Sequence, residues 1–464
     1  MDVIKKKWLQ WVILGCAFTL LCIALYNNIY FNWRYRLITF FAALALLMFV
    51  LLVTKRFALR TLGALMMVVV ACFLFYTQYM LGTIMNPIHS EKVSYQLFTL
   101  REVAFIEGDF VYGEIGQAQT RDEYIIEAYQ KNDIVNPSIN YYQTVSSLVL
   151  ALYDRDVNSI WVDSRFMNEV TALFPDFSTR TIVSGSFEKL IEREDTTVEV
   201  DVLKDPYVVY VSGIDVYGST NTRSRSDLNL LLIINPNTNK VLSVSIPRDT
   251  YIELSCRNQA KDKLTHAGLY GVDCSIGSIE GLLNIQINYY LRVNFTSLQT
   301  VVDGLGGVEV NSKYAFTTDS GFTYGEGLNA VDGESAVAFA RERTHIPYGD
   351  VSRGANHQAL LEAIFRKLID PSKISTLPTY LSNFLNVLDT DFGYDSFSRL
   401  ISHQIDNDET WSFESITLSG KGDMQYTYSQ GDTYKYYVYW ADEDSVRNIS
   451  QRISEVLLGQ DSGE

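Results

Sequence analysis

The chain has 464 residues and a formal net charge of −16, from 38 basic against 54 acidic side chains. That length holds two or three domains with substantial cores. Such an acidic balance excludes a general binder of nucleic acid or anionic lipid, so any cluster of arginines needs a specific ligand.

Three apolar runs come first, Trp8–Tyr26, Leu37–Thr54 and Leu59–Leu81. Each approaches the ~20 residues a helix needs to cross ~30 Å of hydrocarbon. Lys5, Lys6 and Lys7 precede the first run, as in a signal peptide, but two more runs follow and no small-residue cleavage site stands out. Residues 1–82 are therefore predicted to form three transmembrane helices. Lys55, Arg56 and Arg60 separate the second and third runs, against Arg34 and Arg36 in the other loop. That bias puts the N-terminus in the cytoplasm and the rest of the chain, after about residue 82, outside a multi-pass anchor in the cell membrane. Beyond residue 81 stand 30 basic and 53 acidic residues, a formal charge of −23.

Cys16, Cys22 and Cys72 fall in the apolar runs and read as packing. Cys256 and Cys274 fall in the exported part, where a disulfide between them and two separate thiols are both open readings. Neither has the spacing or histidine neighbours of a zinc site.

From Ser90 to about Glu194, strand-like Tyr95–Phe105 and Ser159–Val162 mix with helix-like Asp122–Lys131, Tyr141–Tyr153 and Ser164–Phe174. This is a small accessory α/β domain over residues 90–200, without a chemical constellation. After Pro206 the text changes. Tyr207–Ile214, Leu228–Ile234 and Lys240–Ile246 are continuous apolar strands, the last two joined by the turn Asn-Pro-Asn-Thr-Asn at 235–239. Such runs are covered on both faces, so residues 206–464 are predicted as an α/β domain with a mixed central sheet flanked by helices. Helices are predicted at Ser278–Asn284, Phe295–Leu305, Glu334–Arg343, His357–Asp370 and Glu443–Leu458, and further strands at Ile287–Val293 and Val308–Val310.

The strand order makes a geometric claim. Asp215 ends the first strand, Asp227 begins the second, and the third returns antiparallel to Pro247-Arg248-Asp249. Asp215, Asp227 and Arg248 should meet at one end of the sheet, with Arg223 and Arg225 in the loop above. Two carboxylates there suit Mg²⁺, which takes one or two carboxylates with water and phosphate oxygens. Arginine adds a planar fork for phosphate. A structural ion pair between Arg248 and Asp227, with Asp215 capping a turn, is the plainer alternative. A second group lies in GESAVAFARERTHIPYGD at 333–350, followed by Arg353. Arg341 and Arg343 cannot share one face of a continuous helix, so both reach one ligand only if the helix ends there. Otherwise one of them pairs with Glu342 or lies at the surface. Asp350 reads either as a reacting carboxylate or as an N-cap.

Together these segments resemble the LytR-CpsA-Psr family of Gram-positive envelope enzymes, and its streptococcal capsule-type members most of all. The matching stretches are VSGIDVYG (211–218), RSD (225–227), SIPRDTY (245–251), KLTHAGLYGVD (263–273), NYYLRVNF (288–295), DGLGGVEV (303–310), and FARER with GDVSR (339–353). The resemblance implies that Asp215 and Asp227 hold magnesium, or manganese in its place. It also implies that Arg225, Arg248, Arg341, Arg343 and Arg353 hold a diphosphate, with Asp350 taking a proton from the acceptor hydroxyl. Where the family continues with Arg-Gln-Gln, this chain has Asn356, His357 and Gln358, and only Gln358 is carried over as a diphosphate contact. Lys263 and His266 read equally as loop hydrogen bonding and as substrate contacts. Apolar Leu282–Val310 offers side chains for a lipid tail or for the core.

The implied activity is transfer of a glycan, capsular or of teichoic-acid type, from undecaprenyl pyrophosphate onto peptidoglycan. Implied partners are those two substrates, the membrane and the proteins that synthesise capsule or wall polymer, with no nucleic acid. Hydrolysis of polyprenyl pyrophosphate, or a non-catalytic envelope regulator that binds lipid diphosphate, are the competing readings.

Overall fold

A computed structural model describes residues 12, 15–23, 41, 44, 65–73, 75–76, 90–102, 110–116, 123–192, 198–214, 220, 222–347, 349–369, 388–407 and 409–460. The chain divides into two compact units, Met1–Pro87 with Gly393–Asp406, and Ile88–Phe392 with Asn407–Glu464. In the first unit, residues 15–23 and 65–73 are helical, and Leu65, Met66, Val69 and Phe73 are more than half exposed. Apart from residues 12, 41, 44 and 75–76, the remainder of the three predicted transmembrane helices lies outside the described residues. Among the described residues, no helix is long and apolar enough to cross a membrane.

The second unit opens with β1 (Ser90–Leu100), β2 (Val111–Ile115), α1 (Glu123–Lys131), β3 (Ser138–Tyr142), α2 (Val145–Tyr153), β4 (Ser159–Asp163), α3 (Met167–Leu173), α4 (Phe177–Arg180) and β5 (Thr181–Glu192). The five strands form one sheet in the order β3-β2-β4-β1-β5. β4 is buried along its whole length because both sheet faces are covered. On one side Trp161 meets Ala128 and Tyr129 of α1; on the other, Ile160 and Val162 meet Leu148 and Leu152 of α2. The predicted helix Tyr141–Tyr153 starts only at Val145. Residues 138–142 are drawn into the sheet beside β2, and a capping box between Thr144 and Ser147 fixes the helix start. The strand β5 has no counterpart in the sequence reading.

The elements that follow are β6 (Tyr207–Ile214), β7 (Ser226–Asn235), β8 (Lys240–Ser245), β9 (Tyr251–Glu253), β10 (Lys261–Lys263), α5 (Leu264–Ala267), α6 (Val272–Leu283), β11 (Tyr289–Val293), α7 (Phe295–Gly304), β12 (Val308–Ser312), β13 (Phe316–Thr317), β14 (Thr323–Tyr324) and β15 (Gly327–Val331). They are completed by α8 (Gly333–Arg341), α9 (Asp350–Leu368), β16 (Asp389–Thr390), β17 (Ser412–Thr417), β18 (Gly420–Thr427), β19 (Gly431–Ala441) and α11 (Glu443–Leu457), while α10 (Tyr394–Asn407) between β16 and β17 belongs, all but its last residue, to the first unit. The central sheet has the order β16-β11-β6-β7-β8-β17. It is mixed: β6, β7 and β8 run antiparallel in turn, while β11 and β17 lie parallel to β6 and β8.

The Asn-rich turn between β7 and β8 is set locally. Asn237 N donates to Asn235 Oδ1 (2.9 Å), and Asn239 takes the left-handed conformation (φ 51°) that asparagine tolerates. Ile279 and Leu283 of α6 and Ile449, Ile453 and Val456 of α11 pack with Val208, Leu231 and Leu242 of the sheet. Helix α9 packs against β7, β8 and β17. A Cys256–Cys274 disulfide (Cα–Cα 5.2 Å) ties the β9–β10 segment to α6, the first of the two readings open for those cysteines.

The predicted strand Val308–Val310 is present as the start of β12, which pairs with β15 outside the central sheet. Two predicted boundaries move. The helix predicted from Ser278 begins at Val272, after Gly271 (φ 107°) turns the chain. Helix α9 begins at Asp350 rather than His357, so Asp350 is its first residue and Gly349 (φ 49°) its N-cap. That backbone conformation favours glycine.

Candidate active site

The antiparallel return of β8 alongside β7 decides which side chains meet. Ser245 pairs with Leu230, so the start of β7 and the segment after β8 share one end of the sheet. There Arg248 Nη1 donates to Asp227 Oδ2 at 3.0 Å, with both side chains about one-quarter exposed. The other oxygen, Asp227 Oδ1, accepts from Thr265 Oγ1 (3.1 Å), and Thr265 N donates to Arg248 O (2.8 Å). Arg248 Nε lies 3.7 Å from Asp249 Oδ2, and Lys263 Nζ lies 3.0 Å from Asp249 Oδ1. The charges therefore alternate from Asp227, Arg248 and Asp249 at the cleft to Lys263 behind them.

A cavity of about 100 Å³ opens over this row, bordered by Asp227, Arg248, Arg353, His357, Tyr437 and Tyr439. Arg353 and His357 come from the first turns of α9. His357 Nε2 lies 2.8 Å from Ala340 O, at the end of α8. Neighbouring Asn356 donates to Phe339 O (3.1 Å), so the Asn-His pair of this chain ties α9 to α8.

Other predicted residues lie elsewhere. Arg225 precedes β7, but its Nη2 pairs with Glu169 Oε2 of α3 (3.2 Å), a carboxylate 6% exposed. Burial pushes the Glu169 pKa up, and the Arg225 charge opposes that rise. Arg341 ends α8, exposed, with its guanidinium over the Phe295 ring (4.5 Å). Arg343 is exposed beyond it. Neither arginine borders the cavity. The helix does end between them, one of the two arrangements the sequence left open, and Glu342, the ion-pair partner offered in the other, is taken by other groups. Its Oε1 accepts from the backbone N–H groups of Arg343, Thr344 and His345 (2.7–2.9 Å). Burial works to raise the Glu342 pKa, and these donors together with His345 outweigh it, so the carboxyl is held below its usual range. Gln358 is corrected from ligand to tie. It is buried, and its Nε2 donates to Ser243 O (3.2 Å) and Ile416 O (2.9 Å), binding α9 to β8 and β17.

Lys263 and His266 follow their local reading. His266 Nδ1 lies 2.6 Å from Asp262 Oδ1 and 2.8 Å from Ser429 Oγ, all of it buried. In the apolar run, Leu283, Ile287 and Tyr290 are core of the central sheet, and Val302, Val308 and Val310 are core under β12–β15. The sequence reading missed Arg292. It is buried on β11, pairs with Asp389 (3.0 Å) and donates from Nη2 to Thr222 O (2.7 Å), anchoring the segment before β7. A charged residue inside the otherwise apolar NYYLRV run was its only local signal. It also missed Tyr437 and Tyr439, whose cleft position depends on a hairpin bonded to Asp249 O through Tyr439 N (2.7 Å).

Magnesium needs hard oxygen donors. Each oxygen of Asp227 takes one hydrogen bond from the protein and keeps lone-pair capacity, so this carboxylate suits such an ion. Its predicted partner Asp215 follows β6 directly in sequence and lies outside the described residues. Asp350 starts α9, and its side chain is likewise outside them. Among the described residues, no group of three or more His, Cys, Asp or Glu gathers as a metal cluster.

The mixed sheet with its Asp-Arg cleft defines a recognisable class. A model of the LytR_cpsA_psr family matches residues 178–454, well over half of the chain, and the chain belongs to that family. Among its relatives is the polyisoprenyl-teichoic acid–peptidoglycan teichoic acid transferase TagU of Bacillus subtilis (strain 168). It is 28% identical over 284 residues, covering 60% of this chain and 87% of that protein. The TagU of Enterococcus faecalis (strain ATCC 700802 / V583) is 30% identical over 223 residues, 47% of this chain and 73% of that one. The crystal structure of B. subtilis TagU aligns with a TM-score of 0.43 and 28% identity, over 55% of this chain and 97% of that one.

Proposed function

We propose that this chain transfers a polyisoprenyl-pyrophosphate-linked wall glycopolymer onto peptidoglycan, at the cleft formed by Asp227, Arg248 and Arg353. The observation that carries the reading is the convergence of one carboxylate and two arginines at one sheet end, in a member of a family whose relatives are named as such transferases.

A diphosphate repels nucleophiles through its own charge, and arginine forks aimed at its oxygens stabilise the transition state. Arg248 and Arg353 have that role here, with Arg225, Arg341 and Arg343 as further candidates. Asp227 and Asp215 would hold Mg²⁺, which when bound would neutralise phosphate charge. The acceptor hydroxyl oxygen bonds to the glycan-side phosphorus, and the bond from that phosphorus to the bridging oxygen breaks. The lipid leaves as its monophosphate. Asp350, at the start of α9, takes the hydroxyl proton as general base.

Localisation belongs to the same proposal. The Cys256–Cys274 disulfide supports an oxidising compartment, and the three apolar runs support an anchor in the bilayer that carries the donor lipid. Residues 1–82 would be that anchor, 90–200 an accessory domain and 206–464 the catalytic domain. The names of the relatives favour a teichoic-acid-type polymer. The long segment before the matched region keeps a capsule-type polymer in view. The test is to give the purified chain lipid-linked glycan, Mg²⁺ and peptidoglycan. Polymer covalently attached to peptidoglycan is expected. Free glycan phosphate without attachment would make the protein a hydrolase, and binding without turnover would make it a scaffold.

A further inference from the structure

The hairpin β18–β19 has two unlike faces. On one, Val438 is buried and Trp440 stacks edge-on against Tyr251 (4.9 Å). On the other, Tyr439, Tyr437 and Met424 follow in line, since Met424 pairs with Tyr437 and Gly422 with Tyr439. Tyr426 extends the line, with Lys435 Nζ 5.5 Å from its ring. Tyr437 is 50% exposed, Met424 49% and Tyr426 45%. An exposed apolar strip of this kind beside a cleft is the usual mark of a binding site.

Two glycines shape it. A Cβ on Gly422 would lie 2.7 Å from Tyr437 Cε2, so the absence of a side chain there lets that ring lie down across the neighbouring strand. One on Gly420 would meet the Trp440 carbonyl oxygen at 2.0 Å before Tyr439 Cε1 at 2.9 Å, so that glycine serves the close backbone approach first. Glycine covered by an aromatic ring also helps a hairpin hold its register, and Tyr437 still presents half of its surface to solvent. The inner end of the line is the cleft itself, where Tyr437 and Tyr439 border the same cavity as Arg248 and Arg353.

We infer that this aromatic strip binds the sugar rings of the acceptor glycan. The inference rests on the transferase reading and adds the acceptor's seat to it. A pyranose has apolar C–H faces and polar hydroxyl edges. Tyrosine matches both, with a ring for the face and a hydroxyl for the edge. The donor is already gripped through its diphosphate by arginine, whereas an acceptor sugar offers no phosphate. Its affinity must come from stacking and neutral hydrogen bonds, which is what the strip supplies next to the reacting phosphorus. Lys435 lies over the Tyr426 ring, at the far end of the strip.

The test measures binding before catalysis. A soluble peptidoglycan tetrasaccharide is titrated into the full chain without donor, by saturation-transfer NMR, for the wild type, Tyr437→Ser, Tyr437→Phe and Tyr426→Ser. The expected result is weaker binding by about fivefold for each serine variant and a smaller loss for Tyr437→Phe, which keeps the ring and gives up the hydroxyl, with thermal unfolding unaltered in Tyr426→Ser. Equal binding by all variants overturns the inference. So does a loss in Tyr437→Phe as large as in Tyr437→Ser. A raised KM for the lipid-linked donor with acceptor binding unchanged would move the strip to the donor glycan. Loss of binding to phosphatidylglycerol vesicles alone would make it a membrane contact. Because the titration needs no turnover, a protein that binds the tetrasaccharide through the strip but transfers nothing would refute the transferase reading and not this one.

Discussion

Arg248 reaches Asp227 with one nitrogen and lies near Asp249 with another, while its guanidinium borders the open cavity. A lysine there keeps the charge and loses the fork. Arg248→Lys should lower kcat for transfer by about 100-fold, the scale of losing one positioned donor to developing charge. A kcat within twofold of wild type would remove Arg248 from the chemistry. Arg225 stands differently, since its visible partner is the nearly buried Glu169. Arg225→Ala should destabilise the fold by about 2 kcal/mol, by leaving that carboxylate without this partner. Chemical denaturation would measure it, and Glu169→Gln in the same chain should recover part of the loss.

At the scale of elements, the segment after α8 is held by one carboxylate that caps three backbone donors. The folded pKa of Glu342 is depressed, so its stabilisation is present above the ordinary glutamate value of about 4.3 and is lost as pH falls through the lower folded value. Glu342→Gln should cost about 1–2 kcal/mol at neutral pH. Its disadvantage in thermal unfolding should shrink as the pH drops through the acid range, and a constant disadvantage would contradict the cap.

Elements differed in how readable they were for a physical reason. The strands β6, β7 and β8 are continuous apolar runs around an asparagine turn, all local signals, so their antiparallel order and the meeting of Asp227 with Arg248 could be read from sequence. The rest is non-local. Gln358 is polar in sequence, and only the approach of α9 to β8 and β17 turns it into a buried tie. Tyr437 and Tyr439 sit in a Tyr-rich run whose position depends on a backbone bond to Asp249, distant in sequence. The pairing of Arg225 with Glu169 was not legible, because Glu169 lies in the first sheet's helices, where sequence offered no chemical motif. The start of α9 shifted because a glycine cap leaves little trace in apolar periodicity.

At the scale of the whole molecule, the two sheets of the second unit are joined by polar contacts as well as chain. Arg165 Nη1 donates to Leu269 O (2.9 Å), and Glu169 holds Arg225 just ahead of β7. The first sheet thereby steadies the segment that leads to Asp227. The disulfide acts on the other side, joining the β9–β10 segment to α6 across 18 residues of sequence. Closing a loop of that size contributes about 3 kcal/mol through the unfolded chain. Cys256→Ser with Cys274→Ser should show that loss in denaturant titration, and reduction of the wild type should match it. No difference between oxidised and reduced protein would argue against the pairing.

The most direct test of the central claim is polymer transfer by the full chain carrying Asp227→Asn, measured beside the wild type with lipid-linked glycan, Mg²⁺ and peptidoglycan. The substitution keeps the shape and removes the charge that faces Arg248. The account predicts that attachment of polymer and release of lipid phosphate fall together, by at least about 100-fold, while the fold persists. Undiminished attachment in Asp227→Asn would contradict it.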